Sequence, residues 1–319
     1  MKLVTIRNAD GSTSAAVILS LETGEEGAAS RSLDVNGNSQ VLALPYPDVL
    51  ALLRAPEGIA QARQQLAAAT AQSTHFPRLS DVVLLSPLPE PPSLRDFMAF
   101  EQHVRNARRW RGLDVQPEWY EFPTFYFSNT SEIYGPEDTI PYPVGSQALD
   151  YELEVACVIG RTGKNIPQEE AEQYIAGYMI MNDWSARDVQ RKDMAIGLGP
   201  GKGKDFATSL GPWLVTLDEL AAYRSGESGD ERYDMAMCAR VNGQQLSYGN
   251  FKTIHYSFSR MIAWASLNAR LRIGDVLGSG TVGTGCLLEL GTQVHRWLLS
   301  GDVVELEITG LGCLRNRIG

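Results

Sequence analysis

The sequence lacks the features that would tie the protein to a membrane or to nucleic acid. No apolar run approaches the ~18 residues that a membrane-spanning helix needs. The opening MKLVTIRNADG turns polar after six residues, unlike a signal peptide. Basic residues are outnumbered, with 28 Lys and Arg against 38 Asp and Glu, so the formal net charge is −10. Because nucleic acid and anionic membranes attract basic surfaces, we expect neither as a partner.

Cysteine is scarce and scattered. The four cysteines, Cys157, Cys238, Cys286 and Cys313, form no CxxC pair, so we expect reduced, buried thiols rather than a disulfide framework. Zinc-finger spacing and the HExxH motif are both absent, which argues against a zinc site built from Cys and His. Reduced thiols predict a cytoplasmic protein.

The order of patterns along the chain predicts two domains. Two short β patterns flank a turn signal at 8–11 and predict a hairpin, and the Ala- and Leu-rich segment 47–72 predicts a helix interrupted at 56–58. The proline cluster Ser86–Ser93 predicts an extended linker. We therefore expect a small N-terminal α+β domain at 1–88 and a larger domain at 93–319.

Beyond residue 93, short β runs are separated by Gly and Pro. Helices are expected at 168–176 and 256–267. The fold class predicted is α+β and rich in β structure. The clearest predicted strands are Leu153–Ile159, Tyr178–Met181, Pro212–Thr216, Met235–Val241, Asp275–Leu277 and Asp302–Ile308.

Two neighbouring carboxylates lie in Asp150-Tyr-Glu152-Leu-Glu154. Alternate residues of a strand share a face, so Glu152 and Glu154 point the same way, ~7 Å apart along the backbone. Such a pair repels. Either this end of the strand is exposed to water or a hard cation neutralises the pair.

Two further acidic residues extend this set. Asp183 ends the apolar run that begins at Gly177, where it is either a ligand or the cap of a following helix. Asp96 follows Ser93 in a pattern like a capping box, and its spacing to His103 predicts one helical face, two turns apart. Three or four hard oxygen ligands suit Mg²⁺, Mn²⁺ or Ca²⁺ rather than zinc.

Two glycine-rich segments lie further along the chain. The first, 197–203, does not match a phosphate-binding P-loop. It is either a flexible loop that brings Lys204 over a substrate oxygen or a solvated loop. The second, 278–285, has small residues that let backbone amides approach an anion. Beyond it, Glu289 alternates with Leu288 and Leu290, a pattern compatible with a strand face exposed to solvent.

Together these segments resemble the fumarylacetoacetate hydrolase family, from about residue 93 to the C-terminus. The resemblance implies a mixed β-roll catalytic domain that is usually a homodimer. The motifs that carry it are Asp96-x6-His103, Asp150-Tyr-Glu152-x-Glu154, Asn182-Asp183-Trp-Ser-Ala-Arg187-Asp-x-Gln190, Lys204-Asp-Phe-x-Thr208 and Gly280-Thr281.

The resemblance also implies roles for individual residues. His103 and Glu289 correspond to the pair that activates water, and Lys204 completes the catalytic set. One divalent cation, Mg²⁺ or else Mn²⁺ or Ca²⁺, is the expected cofactor. Its implied ligands are Asp96, Glu152, Glu154 and Asp183. The implied substrate-binding residues are Tyr126, Arg187, Gln190, Thr281 and Arg111, with Arg109 as an alternative to Arg111.

The function implied is a divalent-metal-dependent hydrolase. It would cleave a C–C bond of a fumarylacetoacetate- or acylpyruvate-like diketo acid, using His-activated water and a metal-stabilised enolate. Two alternatives remain open. The same site could serve a 2-oxo acid decarboxylase, isomerase or hydratase. A protein that binds a small acid at a structural metal, without turnover, would need neither His103, Glu289 nor Lys204.

Overall fold

The structure is a computed structural model that describes residues 1–19, 39–71, 76–109 and 112–319. Within these ranges no helix is long and apolar enough to cross a membrane. All four cysteines are described and free, and three of them are buried, whereas Cys238 is partly exposed.

The described residues form twenty-two strands. In chain order these are β1 (Lys2–Arg7), β2 (Thr13–Leu19), β3 (Gln40–Ala43), β4 (Val83–Leu85), β5 (Leu94–Phe97), β6 (Phe125–Ser128), β7 (Ile133–Tyr134), β8 (Thr139–Ile140), β9 (Leu149–Asp150), β10 (Leu153–Ile159), β11 (Gly163–Lys164), β12 (Ile175–Asp183), β13 (Ser185–Ala186), β14 (Thr208–Val215), β15 (Arg224–Ser225), β16 (Arg232–Tyr233), β17 (Ala236–Val241), β18 (Gln244–Asn250), β19 (Arg270–Leu271), β20 (Val276–Gly278), β21 (Val303–Ile308) and β22 (Gly312–Ile318).

Helices are few and short, which agrees with the predicted β-rich α+β class. Short 3₁₀ turns complete the described structure, among them Gln168–Tyr174 and Gly201–Gly203. The α-helices are α1 (Val49–Arg54), α2 (Gly58–Ala71), α3 (Glu101–Arg109), α4 (Arg187–Ile196), α5 (Phe258–Ser266) and α6 (Leu287–Leu290).

A large mixed sheet organises the molecule. Its strands run in the order β3-β2-β1-β14-β12-β10-β20-β5-β6, with β4 paired to β1 and β7 paired to β14. A second sheet has the order β18-β17-β21-β22-β8. In the large sheet β12 and β10 are antiparallel neighbours, whereas β20 and β5 run parallel. Three of the four predicted metal ligands therefore lie on strands near the middle of one sheet.

Apolar side chains cover both faces of the large sheet. Alternate residues of β10 enter two different cores. Val155 packs in the larger core with residues of the second sheet, and Val158 packs in a smaller core with Leu52 of α1. Every residue of β10 is buried, so this central strand is apolar on both sides, except where Glu154 lies near its start.

The N-terminal residues join the same sheet. Strand β1 pairs antiparallel with β14, and the smaller core mixes Leu3 and Leu52 with Leu94 and Leu214. The segment 86–93 is packed rather than loose, with Leu88 fully buried. The division into domains 1–88 and 93–319 stays a prediction.

Most predicted elements occur near their expected positions, and the misses have a tertiary cause. The interruption at 56–58 separates α1 from α2, and α5 and five of the six predicted strands lie within about three residues of their predicted limits. Strand β14 starts earlier than predicted, at Thr208, because its first half pairs with β12 and β7. The segment predicted as helix 168–176 is a 3₁₀ turn followed by the first residues of β12.

Candidate metal-binding and catalytic site

Three strands of the large sheet bring carboxylates to one end of it. Asp96, Glu154 and Asp183 continue the rows of β5, β10 and β12 that face the smaller core, because side chains two residues apart share a face. Strand β10 runs antiparallel to β12 and to β20, so the end of β12 and the start of β10 meet. Glu152 lies just before β10 and completes the group.

The four carboxylates converge closely enough to share one cation. One oxygen from each of Asp96, Glu152, Glu154 and Asp183 lies within 4.8 Å of the others. All four side chains are buried, with at most 4% exposed. The structure therefore places together all four residues that the resemblance assigned as ligands, and we call these four side chains the carboxylate cage. Their role as ligands stays a prediction.

Strand β20 makes room for this convergence. A Cβ at Gly278 would lie 2.5 Å from Asp96 Oδ1, so a side chain there would displace the carboxylate. The backbone N–H of Gly280 donates to Asp96 Oδ1 at 3.2 Å and to Glu154 Oε2 at 3.1 Å. Thr281 Oγ1 lies 3.3 Å from Glu154 Oε1. The second glycine-rich segment thus lines the cage, as its small residues suggested.

The ammonium group of Lys204 contacts the cage. Its side chain is 5% exposed, and its Nζ donates to Glu152 Oε2 and Asp183 Oδ2. The glycine-rich loop is a 3₁₀ turn packed on α4, where a Cβ at Gly203 would lie 2.5 Å from the Gln190 backbone. This packing directs Lys204 inward. The Tyr126 hydroxyl also donates to Asp183 Oδ2.

The electrostatics of the cage call for more positive charge than Lys204 supplies. Burial, followed by repulsion from Asp183, raises the pKa of Asp96 to about 8, and burial with repulsion from Asp96 raises the pKa of Glu154 well above its usual value. Glu152 differs, because Lys204, Arg187 and His103 together outweigh its burial and lower its pKa to about 2. Asp96 and Glu154 therefore resist ionisation even with the ammonium group of Lys204 nearby.

The donor chemistry fits a hard divalent cation. Asp183 Oδ1 is buried and finds no hydrogen-bond partner among the described residues, which is costly unless it binds a cation. All the converging donors are carboxylate oxygens, the ligands that Mg²⁺, Mn²⁺ and Ca²⁺ prefer. A divalent cation would neutralise half of the four negative charges. The residues present therefore fit the metal that the resemblance implies.

Arg187 forms a second buried ionic contact next to the cage. Its Nη2 lies 2.8 Å from Asp150 Oδ2 and 2.8 Å from Glu152 Oε1. The two carboxylates outweigh the effect of burial and keep the pKa of Arg187 well above its usual value. Gln190 Oε1 accepts from Arg187 Nη1 at 3.0 Å. Arg187 therefore links Gln190 to the carboxylate cluster.

Asp150 is an organising residue that the sequence reasoning did not single out. Its oxygens accept the backbone N–H of Leu287 at 2.8 Å and of Leu288 at 3.0 Å, in addition to the contact with Arg187. It thereby bonds the first turn of α6 to β9. The available signal was its position at the start of the Asp150-Tyr-Glu152 motif, ahead of an apolar strand.

His103 and Glu289 form a buried pair on α3 and α6. His103 Nδ1 lies 2.7 Å from Glu289 Oε1. Burial of His103 favours the neutral ring, but the charge of Glu289 outweighs it and raises the pKa of His103. Burial of Glu289 favours a higher pKa, but the attraction of His103 outweighs burial and lowers the pKa of Glu289. The pairing implied by the resemblance is therefore present.

One expectation about this region was wrong, and one alternative interpretation is excluded. Asp96 does not share a helix with His103, because Leu94–Phe97 pairs with β20 and β6, and α3 begins only at Glu101. Glu289 is not on an exposed strand. It is 8% exposed on the short helix α6, whose first turn is held by Asp150. In both cases the local sequence pattern is compatible with either a helix or a strand. Hydrogen bonds to distant segments determine which of the two forms.

The other residues implied to bind substrate lie at different distances from the cage. Tyr126, Arg187 and Thr281 each contact one of its carboxylates, whereas Gln190 reaches it through Arg187. Arg109 ends α3 and is exposed. Arg111 lies outside the described residues.

Comparisons with known proteins support the resemblance. The family model described as the C-terminal part of fumarylacetoacetate (FAA) hydrolase matches residues 93–319. A fumarylacetoacetase of Oryza sativa subsp. japonica is 31% identical over 284 residues, which cover 72% of this chain and 66% of the relative. The chain thus spans just under two thirds of that enzyme.

A second relative matches over more of the chain. The mitochondrial oxaloacetate tautomerase FAHD2A of Homo sapiens is 31% identical over 305 residues, 94% of this chain and 87% of the relative. Among solved structures, the 5-carboxymethyl-2-hydroxymuconate delta-isomerase of Mycobacterium smegmatis has a TM-score of 0.68 at 24% identity. That similarity covers 100% of this chain and 99% of the isomerase chain, and it shows a shared fold.

Proposed function

The chain belongs to the fumarylacetoacetate hydrolase family, and from this premise we propose that it is a divalent-metal-dependent hydrolase. Its substrate would be a diketo acid like fumarylacetoacetate or an acylpyruvate, cleaved at a C–C bond. The observation that carries this proposal is the hydrogen bond between His103 and Glu289, because a buried His oriented by a carboxylate is suited to activate water.

Asp96, Glu152, Glu154 and Asp183 would hold the metal, with Mg²⁺ as the first choice and Mn²⁺ or Ca²⁺ as alternatives. When bound, the cation would act as a Lewis acid on the oxygens of the substrate. Gly280 fixes two of these carboxylates through its backbone N–H, so the ligands are positioned before the metal arrives.

His103 would take a proton from water. Glu289 accepts a hydrogen bond from the Nδ1–H group, which leaves Nε2 as the basic nitrogen. The activated water would add to the carbonyl carbon of the substrate. Glu289 is itself held by Asn106 and the Thr284 backbone at 2.9 Å each, so the ring of His103 keeps one orientation.

Lys204 and Arg187 would stabilise negative charge on the substrate. The pKa of Lys204 is raised because Asp183 and Glu152 outweigh its burial, so its ammonium group stays charged. A fixed cation in a buried site stabilises an oxyanion that develops as the C–C bond breaks. Tyr126, whose hydroxyl contacts Asp183, would border the same space.

One observation favours a second candidate function. The tautomerase relative aligns with 94% of this chain, whereas the fumarylacetoacetase relative aligns with 72%. An oxaloacetate tautomerase or related isomerase would use the same cage and would move a proton between carbon and oxygen without adding water. The pair of His103 and Glu289 could carry that proton.

Wild-type rates on two substrates separate the two functions, and substitution of the pair tests the hydrolytic mechanism. With Mg²⁺ or Mn²⁺ present, His103→Ala should slow acylpyruvate hydrolysis by about 10²–10⁴-fold. Glu289→Gln should also slow it, and the double variant should lose little more, because the two groups act as one unit. The rates are followed by ultraviolet absorbance on an acylpyruvate and on enol and keto oxaloacetate.

His295→Ala is the matched control, since the hydrogen bond described for the His295 side chain is to the backbone oxygen of Arg296. Hydrolysis that survives in His103→Ala would overturn the hydrolase proposal. Fast tautomerisation of oxaloacetate without hydrolysis in the wild type would favour the tautomerase. Absence of turnover on the whole panel would favour a binding protein.

A further inference from the structure

A second group of metal-binding side chains lies beside the carboxylate cage. His103, Cys286 and Glu289 each offer one donor atom, and these three atoms lie within 4.8 Å of one another. We propose that these three side chains form a site for a thiophilic divalent cation, Zn²⁺ or Cd²⁺, separate from the Mg²⁺-type cage. Occupation of this site would block His103.

One of two donor–donor distances matches a tetrahedral zinc site, and the other is shorter. Glu289 Oε1 lies 3.5 Å from Cys286 Sγ and 2.7 Å from His103 Nδ1. Zinc binds sulfur at about 2.3 Å and nitrogen or oxygen at about 2.0–2.2 Å, so its ligand atoms lie roughly 3.3–3.6 Å apart. The sulfur–oxygen distance already fits. The nitrogen–oxygen distance has to widen by about half an ångström or slightly more.

The two carboxylate oxygens of Glu289 contact different groups. Oε2 accepts hydrogen bonds from Asn106 Nδ2 and the Thr284 backbone, both at 2.9 Å. Oε1 faces His103 and Cys286. The carboxylate could therefore bind a cation through Oε1 while Oε2 keeps both of its anchors. A glutamate held in this way is a pre-positioned ligand.

The chemistry of the donors distinguishes the two sites. The cage offers only carboxylate oxygens, which suit Mg²⁺, Mn²⁺ and Ca²⁺, whereas thiolate and imidazole suit zinc and cadmium. All three donors are buried, with Cys286 at 0% and His103 and Glu289 at 8% exposed. Burial strengthens the attraction between a cation and its charged ligands.

Binding of the cation requires that its nitrogen and sulfur ligands give up their protons. The Nδ1 proton moves to Nε2, so that the neutral ring binds the cation through Nδ1, and the thiol proton of Cys286 leaves to solvent. The effect on turnover rests on the proposed function: once Nδ1 binds a metal ion, Nε2 no longer serves as a base and hydrolysis stops. The binding itself does not depend on which reaction the protein catalyses.

Cadmium is the probe, because a cadmium–thiolate bond absorbs in the ultraviolet and reports the thiol directly. Cd²⁺ is titrated into protein that is kept in excess Mg²⁺, with wild type compared with Cys286→Ser. The wild type should develop the thiolate band with one equivalent of Cd²⁺. In Cys286→Ser the band should vanish and Cd²⁺ affinity should fall by at least about 100-fold, since even the partners of ligands contribute about 10–100-fold.

Two further variants complete the experiment. Cys238→Ser is the control, because Cys238 lies on β17 next to Glu307 and is the most exposed of the four thiols. It should leave the band unchanged. His103→Gln should keep the thiol but weaken Cd²⁺ binding, and circular dichroism should show that each variant folds. No band in the wild type, or a band that persists in Cys286→Ser, would overturn the proposal, whatever the activity assays show.

Discussion

Lys204 is a lysine that is buried and nevertheless keeps its charge. On sequence it belongs to a glycine-rich loop, yet its side chain is 5% exposed and its ammonium group contacts two carboxylates of the cage. A buried lysine keeps its charge only where anions outweigh the cost of desolvation, as Asp183 and Glu152 do here. Its proposed role is to stabilise negative charge on a bound substrate.

Replacing Lys204 tests this role. Lys204→Met keeps much of the side-chain volume and removes the charge, so we expect kcat to fall by about 10²–10³-fold while the metal remains bound. Lys202→Met is the matched control, because the Lys202 side chain is 76% exposed and its ion pair among the described residues is with Asp205. Equal rates for the two variants in steady-state assays would show that Lys204 is merely structural.

Substitution of Glu154 tests how much the crowding of buried carboxylates destabilises the folded protein. It is fully buried beside Asp96, and both have raised pKa values. Glu154→Gln keeps nearly the same volume and removes the cost of either burying this carboxylate in its charged form or protonating it on folding. In chelator the variant should therefore melt higher by a few degrees, since about 1 kcal/mol corresponds to roughly 2–4 °C in domains of 150–250 residues. Added Mg²⁺ should stabilise the variant less than the wild type.

Differential scanning fluorimetry in chelator and in Mg²⁺ measures both effects. Glu170→Gln, an exposed glutamate in a 3₁₀ turn, should change neither melting temperature. A chelated Glu154→Gln variant that melts below the wild type would contradict the idea that repulsion within the cage is relieved by a cation.

Among the elements, α6 depends most on its surroundings. It has only four residues, too few for an isolated helix to be stable in water. The Asp150 carboxylate on β9 accepts two backbone N–H groups at its start and also contacts Arg187. The element that carries Glu289 is therefore held in place by a strand more than a hundred residues earlier in the chain.

Asp150→Asn should loosen this element. The variant keeps the size of the side chain but leaves buried Arg187 with one negative partner fewer, and breaking such a pair costs about 3–5 kcal/mol. Urea unfolding should show the loss of free energy, and kcat should fall as Glu289 moves. Asp188→Asn, on the partly exposed start of α4, is the control and should have a much smaller effect on both. Unchanged stability and kcat would contradict a positioning role.

At the scale of the whole molecule, the large sheet joins the two halves of the chain. Strand β1 pairs with β14, and the smaller core draws on α1 and α2 as well as on β5, β10 and β12. The same face of the sheet carries this core and, at one end, the carboxylates of the cage. N-terminal residues thus support the strands that position the site.

Removal of residues 1–88 tests whether the larger part folds alone. The shortened chain would expose the edge of β14 and apolar core residues such as Leu94 and Leu214. An unpaired edge strand next to exposed apolar surface promotes aggregation. We expect the fragment to be insoluble or to unfold without cooperativity in a thermal scan. A soluble fragment that unfolds cooperatively and binds Mg²⁺ would instead establish two independent domains.

Local patterns in the sequence determined much of the molecule. The apolar run Leu153–Ile159 has the limits of β10, because a strand buried on both faces needs apolar residues at every position. Pro56 and Glu57 lie between α1 and α2, which begins at Gly58, because proline disfavours a helix interior. The four carboxylates, Lys204 and the pair of His103 and Glu289 were named from their motifs, and all of them lie close together.

Only the tertiary structure decided the elements whose local signals were ambiguous. Asp96 lies on a strand because β20 and β6 supply its hydrogen bonds, and Glu289 lies on a helix because Asp150 binds the N–H groups at its start. Cys286 reaches His103 across 183 residues of sequence, a proximity that no local spacing encodes. Periodicity reports which face of an element is buried, whereas the partners on that face depend on contacts between segments far apart in the chain.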